Sequence, residues 1–91
     1  MIRSCRDTQT LQVLDRLPSR KFQAIQRRAE ERLAQLHAAT SLLDLSLPSL
    51  RLEKLAADRK GQYSIRINDQ YRVCFEWRGG DAFEVEIVDY H

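Results

Sequence analysis

The last third of the chain alternates apolar and polar positions with a period of two. Tyr63, Ile65 and Ile67 alternate with Gln62, Ser64 and Arg66. Tyr71, Val73, Phe75 and Trp77 alternate with Arg72, Cys74 and Glu76, and Phe83, Val85 and Ile87 alternate with Glu84, Glu86 and Val88. β-Branched and aromatic residues at that period predict three strands, each buried on one face. Asn68-Asp69-Gln70 and Arg78-Gly79-Gly80-Asp81 supply turn chemistry between them. The runs therefore form an antiparallel meander with a core face and an open face. A slip of one residue would turn the apolar set outward. The register that avoids this sets Ile67 beside Tyr71, Ile65 opposite Val73 and Trp77 opposite Phe83. On the open face it sets Arg66 opposite Arg72, with Tyr90 diagonal to Arg72, and gathers Glu76, Glu84 and Glu86 towards the other end.

The first half has helical spacing. Ile2 to Cys5 reads as a short edge strand, and Asp7 or Thr8 can cap the helix that follows. Leu11, Leu14 and Leu17 would form its apolar face, and Pro18 ends it. Ser19 can cap a longer helix whose buried stripe is Phe22, Ile25, Ala29, Leu33 and Leu36. Arg20, Lys21, Arg27, Arg28 and Arg32, with Glu30 and Glu31, make a solvated opposite face, and His37 is a helix-end residue. Leucines separated by small and polar residues then connect to Leu52 and Leu55, which resume the sheet with Glu53 or Lys54 outward. Two N-terminal helices packed on one face of an antiparallel sheet make an α+β fold.

Charge adds a candidate site. Arg66 opposite Arg72 is a like-charge cross-strand pair, which is destabilising unless an anion binds there. From Arg51 to Arg72 there are six Lys/Arg against three acids, a local basic patch suited to a phosphate-bearing partner. The net charge of only +2 argues against indiscriminate nucleic-acid binding. A solvated, salt-bridged sheet face is the alternative. Lys54, Arg59, Lys60 and a terminal histidine nearby tip the pattern towards an anion site. The 91 residues suffice for one small domain, read as 1–91. Cys5 and Cys74 are far apart, and with two histidines they give no metal-ligand spacing, so no metal or cofactor is expected. Free thiols and the lack of a signal peptide imply the cytoplasm, and no apolar run is long enough to span a membrane.

Several stretches resemble the HigB toxins of the RelE/ParE superfamily, the killer proteins of bacterial type II toxin–antitoxin pairs. They are Asp58-Arg59-Lys60-Gly61, the hairpin from Gln62 to Trp77, and Val85 to His91 with its closing Asp89-Tyr90-His91. The stretch at 47–52 and the opening Ile2-Arg3-Ser4 also match. The resemblance implies a RelE-like (microbial RNase-like) fold and metal-independent cleavage of mRNA on the 70S ribosome. It further implies neutralisation by a HigA-type helix-turn-helix antitoxin, with DNA engaged only through that antitoxin. On this resemblance His91 is the candidate acid/base, suited by a pKa near neutrality. Asp89 orients it or acts beside it, and Tyr90 stacks on a base or bonds the phosphate. Arg72 is the phosphate clamp, its planar fork matching phosphate oxygens, with Arg66, Lys60, Arg59 and Lys54 in support.

The chain also departs from that pattern. Glu53 stands where some members carry a second histidine, and Ala56-Ala57 replace a Lys-Gly. Glu53 is either an auxiliary base or an ordinary strand residue paired with Lys54 or Arg51. A ParE-like gyrase poison and a weakened toxin retained as an antitoxin-binding co-repressor remain the competing readings. The antitoxin has two candidate docking places, the Ile2–Cys5 edge and the basic second helix.

Overall fold

The computed structural model describes residues 1–90, so His91 lies outside the described residues. Two helices, α1 (Thr8–Leu14) and α2 (Gln26–Ala38), precede four strands: β1 (Glu53–Lys54), β2 (Gln62–Arg66), β3 (Tyr71–Arg78) and β4 (Asp81–Asp89). The strands form one antiparallel sheet in the order β1-β2-β3-β4. The α+β class and the meander are therefore as the alternation expects. Short 3-10 turns carry the leucine-rich connection into β1, and bury Leu45 and Leu50 in the core.

The β2–β3 register is the expected one, with Ile65 opposite Val73 and Arg66 opposite Arg72. The N–H groups of Ile67 and Asn68 donate to the Tyr71 carbonyl at 3.0 and 3.2 Å. Asn68 Oδ1 in turn accepts from the N–H groups of Gln70 and Tyr71 at 2.9 and 2.8 Å, which closes the three-residue loop.

The β3–β4 register differs at the turn end. Gly79 (φ 57°) and Gly80 (φ 83°) make a two-residue turn that pairs Arg78 with Asp81 and Trp77 with Ala82, not with Phe83. Two positive-φ positions match the twist of the flanking strands, so this tight turn prevails over a longer one. A bulge between Cys74 and Glu76 then takes up the extra residue, with Glu84 at φ 52°, and beyond it Arg72 pairs with Val88. Two consequences follow. Ala82 joins Val85 and Ile87 in the core, while Phe83 crosses to the other face beside Glu76, 4.0 Å beneath the Arg78 guanidinium. The position of Tyr90 relative to Arg72 is the expected one.

Ala29, Leu33 and Leu36 of α2 share one core with Ile65, Ile67, Val73, Phe75 and Val85. Ser19 does not cap the helix, which begins only at Gln26; its hydroxyl accepts from Phe22 N–H at 3.3 Å, ahead of a short 3-10 turn (Gln23–Ile25). Arg32 leaves the solvated stripe, since its Nε donates to the Arg66 carbonyl at 2.8 Å. Helix α1 is turned from its leucine pattern: it buries Thr10 and Val13, while Leu11 and Leu17 are exposed. The cause is polar. Asp7 caps the helix by accepting from Thr10 N–H at 2.7 Å, and the Thr10 hydroxyl accepts from Ile87 N–H at 3.1 Å. The helix stops at Leu14, before Leu17 can join its face.

The N-terminal segment lies parallel along β4, with bridges from Ile2 to Ala82 and from Cys5 to Val85. Asp81 anchors it through the Met1 ammonium and Arg3 Nε, both at 3.2 Å. Those two cations, the ammonium foremost, hold the Asp81 carboxyl below its ordinary range. His37 does more than end a helix, for its Nδ1 accepts from Ile2 N–H at 3.1 Å.

Candidate active site

Arg66 and Arg72 stand side by side across β2 and β3 at the Tyr90 end of the sheet, and line a cleft of about 300 Å³. Arg51, Glu53, Asn68, Asp69 and Tyr90 complete its walls. The face opposite the core is less open than the alternation implies. Ser64 and Cys74 are fully buried and Arg72 is only 8% exposed. The chain between β1 and β2 lies over part of it: Arg59 Nη1 reaches across to Gln62 Oε1 (3.2 Å) and Glu86 Oε1 (3.1 Å). Burial pushes the Cys74 thiol up, against the pull of the Arg59 and Arg72 guanidiniums.

Each arginine of the facing pair is held by its own neighbours, which is how the like-charge conflict is contained. Arg66 pairs with Asp69 of the loop. Arg72 Nε donates to Ser64 Oγ at 2.7 Å. Its Nη2 donates to the Arg51 carbonyl and, at 3.4 Å, to the Ser64 carbonyl. Nη1 lies 3.5 Å from Glu53 Oε1, and the Tyr90 ring centroid is 5.7 Å from the guanidinium carbon. Arg51 adopts a left-handed backbone (φ 44°), uncommon outside glycine, at the point where its carbonyl meets Arg72.

The structure brings together Arg66, Arg72, Tyr90 and Glu53, and disperses the other sequence candidates. Glu53 pairs with Arg72, not with Lys54 or Arg51. Lys54 is opposite Tyr63, so strand alternation turns it away from the face that carries Glu53 and Arg72. Arg59 and Lys60 precede Gln62, at the opposite end of β2 from Arg66, roughly 13 Å along the strand at ~3.3 Å per residue. Asp89 is opposite Tyr71 and its carboxylate accepts from Gln70 Nε2 at 3.0 Å, on the side of the strand away from Arg72. The expectation for His91 falls outside the described residues.

Residue reasoning missed Ser64 and the Arg51 carbonyl as holders of Arg72, and Asp69 as the partner of Arg66. The one available signal was a serine in mid-strand, where β-branched residues are usual. Among the described residues no three His, Cys, Asp or Glu side chains gather as a metal site. A larger groove of about 510 Å³ runs between the α1–α2 connection and α2, but its Arg16 is already paired with Glu30 at 3.8 Å.

The fold class can now be compared with solved structures. A chain of the YoeB–YefM complex from Staphylococcus aureus superposes with a TM-score of 0.57 at 18% identity, covering all of this chain and 98% of that one. The likeness shows a shared small α+β fold. The family model described as the RelE-like toxin of type II toxin–antitoxin system HigB matches residues 9–91, and the chain belongs to that family. Endoribonuclease HigB of Proteus vulgaris is 33% identical over 64 residues, 70% of each chain. Toxin HigB-1 of Vibrio cholerae is 44% identical over 52 residues, 56% of this chain and 55% of that protein.

Proposed function

We propose that the chain is a toxin that cuts mRNA on the 70S ribosome and is neutralised by a HigA-type helix-turn-helix antitoxin. Family membership and the relative named Endoribonuclease HigB support the nuclease and the toxin role. The observation that carries it to particular residues is the pair of guanidiniums facing each other in a cleft beside an exposed tyrosine. In the reaction the ribose 2′-oxygen attacks the adjacent phosphorus, the bond to the 5′-oxygen breaks, and a 2′,3′-cyclic phosphate forms. Arg72 and Arg66 stabilise charge on the phosphorane, and Tyr90 stacks on a neighbouring base. His91 transfers the proton, with Asp89 beside it and Glu53 as the auxiliary base at the cleft rim.

Lys60 and Arg59 serve as outlying contacts to the RNA strand, and Lys54 as one from the far face of the sheet edge. The proposed setting is the cytoplasm, in keeping with the absence, among the described residues, of any helix long and apolar enough to cross a membrane. The proposed arrangement is RelE-like (microbial RNase-like), a single domain with both helices on one sheet face. The N-terminal segment already pairs with β4, and β1 is only two residues long, so the sheet edges offer little for strand addition. The basic second helix is then the proposed antitoxin contact.

Mapping of mRNA 5′ ends in translating cells, after induction of the chain and of its His91→Ala variant, tests the proposal. Cuts within codons that depend on translation and vanish in the variant are expected. Cuts that persist in the variant would move proton transfer to Glu53. Growth arrest without cuts would instead favour a gyrase poison, and no arrest would favour a co-repressor.

A further inference from the structure

We propose that Ser64 is a positioning residue for this reaction, acting through Arg72, and that Arg72 meets the phosphate with Nη1 alone rather than with a two-pronged edge. The inference rests on the nuclease reading of the cleft. Two of the three guanidinium nitrogens are already committed: Nε to Ser64 Oγ at 2.7 Å, and Nη2 to the Arg51 and Ser64 carbonyls. Only Nη1 remains, and its neighbour is Glu53, an exposed side chain 3.5 Å away that can swing aside when an anion enters.

Both holding devices run against local preference. Ser64 is fully buried in the middle of β2, between Glu53 on one side and Cys74 on the other, where a β-branched residue would pack better. Arg51 places its carbonyl against Nη2 from a left-handed backbone, which costs energy in any residue but glycine. Two unfavourable choices that converge on one side chain mark a group whose direction matters. A guanidinium fixed on two sides loses little freedom on binding, and keeps its remaining donor aimed where the phosphorane charge develops. Ser64 touches neither substrate nor reacting atoms in this scheme. It sets where Arg72 points.

The test is single-turnover cleavage of mRNA on programmed ribosomes by Ser64→Ala, Ser64→Cys, Ser64→Thr, Arg72→Ala, Arg72→Lys and the Ser64→Ala/Arg72→Lys double variant, with circular dichroism as the check on folding. Ser64→Ala should lower the cleavage rate by on the order of 10- to 100-fold, the scale of a displaced catalytic group, with apparent binding little changed. Ser64→Cys fills the same space with a poor acceptor and should lose similarly, which keeps the test decisive if the alanine variant folds badly. Ser64→Thr retains the hydroxyl and should recover most of the rate. In the Arg72→Lys background Ser64→Ala should cost nothing more, because the group it aims is gone. A parental rate in Ser64→Cys, or an equal loss in both backgrounds, would overturn the positioning role. A parental rate in Arg72→Ala would instead remove the cleft from the nuclease reading, and so separates failure of that reading from failure of this one.

Discussion

Tyr90 stands at the mouth of the cleft, 45% exposed, with its ring 5.7 Å from the guanidinium carbon of Arg72. A ring so placed has one face towards a cation and the rest free to receive a base. Aromatic stacking on a base contributes about 1–3 kcal/mol and tolerates any base, since each offers a π face. Tyr90→Phe should therefore leave KM near the parental value in ribosomal cleavage. Tyr90→Ala should raise it by roughly tenfold, the free-energy equivalent of one lost stack. If the phenylalanine variant is as impaired as alanine, the hydroxyl rather than the ring carries the role. Glu53 belongs to the same scale. The sequence allows it to be either a base or a partner of Lys54 or Arg51, and its place against Arg72 Nη1 puts it inside the cleft's own charge network.

Among the elements, β4 departs furthest from its reading, at the turn and bulge that set its register. Glu84 takes φ 52° at the bulge that reconciles the tight Gly79-Gly80 turn with the register at Arg72. Glycine adopts that conformation without strain, at an entropic cost of about 0.5–1 kcal/mol elsewhere. Glu84→Gly should thus stay within about 1 kcal/mol of the parent in urea unfolding. Glu84→Val should cost on the order of 1–3 kcal/mol, because a β-branched side chain resists the left-handed region. Equal midpoints for the two variants would deny the bulge its conformational basis. Asp81 ties the N-terminal segment to the start of β4 through the Met1 ammonium and Arg3. Its carboxyl is lowered in the folded state, so the contact supports stability above the ordinary value of 3.8 and loses that support as pH falls through the lowered one. Asp81→Asn should flatten this part of the acid limb and speed amide exchange at Arg3 and Arg6, whose N–H groups donate to the Ala82 and Val85 carbonyls at 2.8 Å. Unchanged protection at both amides would assign the anchoring to the backbone bridges alone.

At the scale of the molecule, the electrostatics are weak and local. The net charge is +2, and part of the charge is spent in short pairs such as Arg3–Asp81 at 3.2 Å and Arg59–Glu86 at 3.1 Å. The two guanidiniums of the cleft by themselves correspond to about two phosphate contacts, a contribution of only about −1.4 to the salt slope for single-stranded RNA. Such a surface holds a free strand loosely and does not by itself line up a 2′-hydroxyl for in-line attack. The purified protein should therefore cut naked mRNA slowly and the same mRNA on programmed ribosomes rapidly. Gel analysis of both, side by side, measures the difference. Fast, multiple-turnover cutting of naked RNA would refute the ribosome dependence.

Much of this was written in the sequence itself. Period-two alternation from Tyr63 to Val88 dictates a meander that gathers its apolar side chains on one core face, with Phe83 displaced to the other by the bulge. The Arg66–Arg72 pair and its diagonal Tyr90 follow from that constraint and from a three-residue loop closed by Asn68. The helical stripe at Ala29, Leu33 and Leu36 follows from the 3.6-residue period in the same way. Tertiary structure decided the rest, wherever a local pattern competed with a distant partner. Thr10 outweighed the leucines of α1 because β4 needed an acceptor for Ile87 N–H. Lys54 and Asp89 were near the cleft in sequence but fell on the other face, since a strand sends alternate side chains to opposite sides. Ser64 and the Arg51 carbonyl, separated along the chain from Arg72, became its holders only when the sheet and its covering connection closed over a guanidinium whose donors, once buried, each required an acceptor.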